Sequence, residues 1–62
     1  MNQEDLIKDV FIKPANMHKL DLSNGAWQMK KKRFRDGSLS DKEQVKILTK
    51  LGFKIIKDRQ WK

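Results

Sequence analysis

A mainly α domain of four short helices, containing a helix-turn-helix and ending in a C-terminal β-strand, is predicted by three observations along these 62 residues. Apolar side chains recur at helical intervals in two stretches, as Leu6, Ile7, Val10 and Phe11 and as Val45, Ile47, Leu48 and Leu51. Serines suited to capping, Ser23 and Ser40, stand just ahead of two helical stretches. The segment FKIIKDRQW then leaves the helical rhythm, with Phe53, Ile55 and Ile56 set among lysines in the manner of a strand.

Taken in order, NQEDLIKDVFI forms the first helix, with Glu4 and Asp5 favourably placed near its positive N-terminal end. Lys13-Pro14 ends it, because the residue before proline is pushed out of helical geometry, while proline suits the first turn of the next helix. That second helix is PANMHKL, with Met17 and Leu20 inward. Asp21-Leu22-Ser23 is a tight turn, and Ser23 caps a third helix running from about residue 24 to 34. Asp36-Gly37-Ser38 is a loop. Ser40-Asp41-Lys42-Glu43 has the capping-box pattern, in which the serine accepts from the Glu43 amide and the Glu43 carboxylate reaches back. Gly52 stands where the fourth helix needs a left-handed residue to end, and the strand occupies about residues 53–57.

So short a chain gives one domain with a marginal core. The absence of cysteine removes disulfides and thiolate metal sites, and a lone His18 excludes multi-histidine metal sites, so no metal or cofactor is expected. Association is the remaining usual source of stability, so a homodimer or partner-bound state is expected. No apolar run approaches a membrane span, and MNQED is unlike a signal peptide, so a cytoplasmic, soluble protein without a membrane partner is expected. No enzyme is legible: the serines have uses as caps and turns, His18 has no evident nucleophile beside it, and the glycines are isolated, so no small-molecule substrate is expected.

The charge is unevenly placed. Residues 1–22 carry three basic and four acidic side chains, a net of −1, whereas residues 23–62 carry twelve and four, a net of +8. That asymmetry points to a polyanionic partner for the second half. Two helices joined by a short turn, the second capped by Ser23, make a helix-turn-helix over about residues 14–35. Its second helix can enter a DNA major groove about 12 Å wide, with N-terminal side chains at base edges and nearby lysines at phosphates.

Helical phase sorts the candidates. At about 100° per residue, Trp27 and Phe34 share one face and point inward. Asn24, Gln28, Lys31 and Lys32 lie on the opposite or flanking face and are the candidate base readers, since Asn and Gln can pair bidentately with adenine and Lys can donate to guanine. Ser23, Lys30, Arg33 and Arg35 are the candidate phosphate contacts. The competing reading is that these polar and basic residues solvate an exposed face, with the cations answering the helix macrodipole. Its shared face with Phe34 favours the core over base stacking for Trp27, and an idle exposed position is favoured over a phosphate contact for His18; Trp61 as a core cap, a subunit contact or a disordered residue stays open.

The stretch LDLSNGAWQMKKKR resembles the recognition segment of Cro-like, lambda-repressor-like helix-turn-helix proteins, and LSDKEQVKILTKLGFKI resembles their following helix and strand. The likeness spans roughly residues 6–57. It implies a small transcriptional repressor of a phage or mobile element, binding duplex DNA sequence-specifically with Asn24-Gly25-Ala26 opening the recognition helix. Asp21 stands where that family commonly has glycine, Met17 where it prefers alanine, and Lys30 where an apolar residue is usual. The strand has no evident partner within the chain, so Phe53, Ile55 and Ile56 are the expected dimerisation residues through strand pairing, the alternative being pairing with an N-terminal segment. Two other functions remain: a small inhibitor or adaptor of anti-defence or antitoxin type that docks a protein through the basic face, and a binder of structured RNA.

Overall fold

In the computed structural model, which describes residues 1–62, the order is α1 (Gln3–Ile12), α2 (Ala15–Lys19), α3 (Asn24–Arg35), α4 (Asp41–Lys50), β1 (Ile55–Lys57) and β2 (Gln60–Trp61). Asn2 begins α1, its side-chain oxygen accepting from the Glu4 amide at 2.8 Å. At the far end of that helix, the buried Asn16 reaches back and donates to the Val10 carbonyl at 2.9 Å. A side chain of α2 thus gives the Val10 carbonyl a second donor beside the long Lys13 amide bond of 3.4 Å, and fixes the corner at Pro14.

Helices α2, α3 and α4 end by one device. After each, a residue adopts a left-handed conformation: Asp21 (φ 56°), Gly37 (φ 79°) and Gly52 (φ 97°). The next amide then bonds five residues back, from Leu22 to Met17, from Ser38 to Arg33 and from Phe53 to Leu48. These are Schellman closures. Asp tolerates the left-handed region better than most residues, and that is why Asp21 can stand in for glycine.

The core is assembled from Leu6, Ile7, Val10, Phe11, Leu20, Trp27, Leu39, Ile47, Leu48 and Trp61, with Met17, Leu22, Phe34, Val45, Leu51 and Phe53 packed around it. Burying a side chain such as Ile7 or Leu48 contributes roughly 1.5–3 kcal/mol each. Phe11 is the hinge between helices. Its ring centroid lies 5.1 Å from Trp27 and 5.8 Å from Phe34, so two aromatics of α3 clasp one of α1 and set the rotation of α3.

The C-terminus departs from expectation. The strand is shorter than residues 53–57 and is not alone, because β1 turns through Asp58-Arg59 and pairs antiparallel with β2. On its other edge β2 meets the N-terminal residues: Asn2 bridges Gln60, the Trp61 amide donates to the Met1 carbonyl and the Gln3 amide to the Arg59 carbonyl. Trp61, which lies outside any periodic pattern, is 1% exposed and a central core residue. Its indole N–H donates to the side-chain oxygen of buried Gln3 at 2.9 Å. The Gln3 amide nitrogen donates in turn to Asp41 and Gln44, and Arg59 donates to the same Asp41 oxygen. Both polar atoms of the Gln3 side chain and the indole nitrogen are therefore partnered, which is the condition for burying them at all.

The capping box is half formed. Ser40 accepts from the Glu43 amide at 3.2 Å, but the Glu43 carboxylate does not return to Ser40 and faces Arg33 of α3 at 3.8 Å. Tertiary charge pairing has drawn the side chain away from its local cap.

Candidate nucleic-acid interface

The face of α3 is set by its caps and its aromatics. Ser23 opens the helix with its hydroxyl accepting from the Ala26 amide at 3.2 Å, while Trp27, 3% exposed, is held in the core. Residues half a turn from Trp27 are therefore forced outward. Asn24, Gly25, Gln28, Met29 and Lys32 are exposed. Gly25 has open space where a Cβ would stand, so nothing within the chain requires glycine there. Phe34 is half-buried against Phe11, and neither aromatic of α3 is free to stack on a base.

Lys31 separates from the other candidate base readers. It is half-buried and lines a cleft between α1 and α3 with Glu4, Lys8, Phe11, Ile12, Phe34 and Arg35. Its phase lies only about 40° from Trp27, on the flank that faces α1. The outward set is Asn24, Gln28 and Lys32.

The four candidate phosphate residues also divide. Arg35 is exposed at the α1 side of α3, and Ser23 is exposed at its start. Lys30 is half-buried on the opposite flank, beside α4, where it meets Lys46 and Lys50 over a floor of Leu20, Leu22 and Ile47. The Lys50 ammonium donates to the Leu20 carbonyl at 3.0 Å, so it also answers the C-terminal end of α2. Arg33 is occupied. It faces Glu43, one of whose oxygens is buried with no hydrogen-bond partner. An arginine already facing a partly buried carboxylate is a poorer phosphate ligand than a free one. His18 is exposed on α2.

No protein-family model, curated protein or solved structure matches the chain. The candidate interface therefore rests on geometry and charge.

The expected dimerisation residues are not equivalent either. Phe53 is half-buried and packs against its own chain's core. Ile55 and Ile56 are 55% and 59% exposed on β1, whose outer edge carries no strand. The lysines of α4 escape a reading centred on the Lys30–Arg35 run. Their signal is the four-residue interval of Lys42, Lys46 and Lys50, which places them on one helical face. No helix is long and apolar enough to cross a membrane.

Proposed function

We propose that this chain is a sequence-specific duplex DNA-binding protein, a small dimeric transcriptional repressor that lays α3 in a major groove. The observation that carries the reading is the division of α3 into two faces. Trp27 and Phe34 lock one side to Phe11, while Gln28 and Lys32 stand exposed about 100° and 140° round from Trp27 and Asn24 is exposed in the first turn at about 60°. A rigidly held helix with amide side chains outward and cations at its flanks has the chemistry that base edges and phosphates require. Phosphate contacts fall to Ser23, Lys30 and Arg35; Arg33 is better described as the partner of Glu43.

Because β1 is paired within the chain, the dimer cannot rest on an unpaired strand. What supports it is the open outer edge of β1, with Ile55 and Ile56 exposed beside it. An antiparallel pairing of two such edges across a two-fold axis would carry one recognition helix to each of two successive grooves.

A second reading has its own support. The cleft between α1 and α3 has Phe11, Ile12 and Phe34 as its apolar part, with Lys8, Lys31 and Arg35 outweighing Glu4 around it, which suits an acidic segment of another protein.

Gel shifts on random duplex, single strand and structured RNA at moderate salt, then selection of preferred duplex sites, test the reading. A preferred duplex site with two-fold symmetry is the expected result. Equal affinity for all three polyanions would leave only electrostatics, and no binding to any would favour the protein partner.

A further inference from the structure

We infer that Lys42, Lys46 and Lys50 of α4, with Lys30 of α3 facing the last two, form a second phosphate rail that holds the duplex strand on the far side of the recognition helix. This rests on the duplex-binding reading and adds residues of a helix outside the helix-turn-helix.

Lys42, Lys46 and Lys50 are all at least partly exposed and succeed one another at four-residue intervals, so they form a single ridge on α4. Like charges at that spacing destabilise a helix, and Lys42 and Lys46, unlike Lys50, make no hydrogen bond or ion pair within the chain. Lys46 and Lys50 converge with Lys30 around one cleft between the two helices, which concentrates the charge at the side of α3.

No carboxylate neutralises them. The two acidic residues of α4 are engaged elsewhere, Asp41 with Arg59 and Glu43 with Arg33, and these are the only two ion pairs of the chain. Asp21, in the turn between Leu20 and Leu22, makes no ion pair with any of the lysines. Lys50 is further fixed by its bond to the Leu20 carbonyl, which keeps its charge at the cleft rather than sweeping through solvent.

A helix seated in a groove has a phosphate strand along each side. The α1 side of α3 offers Lys8, Lys31 and Arg35, and the α4 side offers Lys30, Lys46 and Lys50. The two flanks would contact one strand each, and the α4 ridge is the part that lies outside the helix-turn-helix.

The test is the salt dependence of duplex binding by the full chain, measured by fluorescence anisotropy for wild type, K42Q/K46Q and a charge-matched control, K13Q/K62Q. Lys42 and Lys46 are chosen because neither side chain makes a hydrogen bond that the fold uses, and circular dichroism checks each variant. In K42Q/K46Q the log–log slope should fall by about 1.8, at roughly 0.9 per lost phosphate contact, with the ratio of preferred to random duplex unchanged. The control should keep the wild-type slope. An unchanged slope in K42Q/K46Q, or an equal fall in the control, overturns the rail while leaving α3 as the reader. Failure of the wild type to bind duplex at all overturns the underlying reading and the rail with it.

Discussion

Gln3 and Trp61 stand 58 positions apart in the chain, yet the indole N–H and the amide oxygen meet at 2.9 Å in the interior. A glutamine near the start of an amphipathic helix reads as an exposed polar residue, and here it is 1% exposed. Its burial is tolerable only because Trp61, Asp41 and Gln44 satisfy it. Gln3→Ala leaves the indole N–H unpaired in the core, a loss of about 1–3 kcal/mol. Thermal denaturation should show it as a fall in Tm of roughly 4–8 °C per kcal/mol for a domain of this size. On the exposed face the expectation is reversed. Gln28→Ala should leave Tm close to wild type and cost on the order of 1–3 kcal/mol at one base pair of a selected site. A uniform loss across all sequences would place Gln28 outside the base-reading set.

Among the elements, the turn between α2 and α3 is one of two places where conformation and residue type disagree, the other being Arg59 (φ 59°) between β1 and β2. Asp21 holds φ 56° at the position filled by glycine after α3 and α4. Asp21→Gly should raise stability by up to about 1 kcal/mol, by relieving the left-handed backbone, and urea denaturation would measure it. A destabilised variant would mean that the carboxylate itself serves the turn. The Ser40 cap is the opposite case, in which a strong local pattern gives way. Its serine half forms as the spacing predicts, but Glu43 turns to Arg33, because a partly buried carboxylate gains more from a cation than from a second cap bond. The sheet is the least legible element. Gln60-Trp61 is too short to show any alternation, and its pairing depends on Met1, Asn2 and Gln3 at the other end of the chain.

At the scale of the molecule, charge is the controlling variable. The chain carries +7 overall, and its flanking cations imply about four to six phosphate contacts per subunit, a log–log salt slope of roughly −3.6 to −5.4 for each subunit. Dimerisation should respond to salt with the opposite sign. Pairing β1 with its two-fold mate about Ile55 and Ile56 sets Lys54 of one copy beside Lys57 of the other, and like charges facing across a ladder repel. Sedimentation velocity should find the dimer fraction rising with ionic strength while duplex affinity falls; a salt-independent monomer would remove β1 as the interface.

The helices, the Ser23 and Ser40 caps and the inward turn of Trp27 are written in the order of residues, because each depends on interactions within about five positions and on a period that repeats. Which polar residues stay free was settled later, by packing. Gln3 was drawn into the core, Arg33 to Glu43, Lys31 towards α1 and Phe53 into the interior, while Lys46 and Lys50 came to face Lys30. These are contacts between side chains distant in the chain, and helical phase fixes the direction of a residue without saying what it will meet.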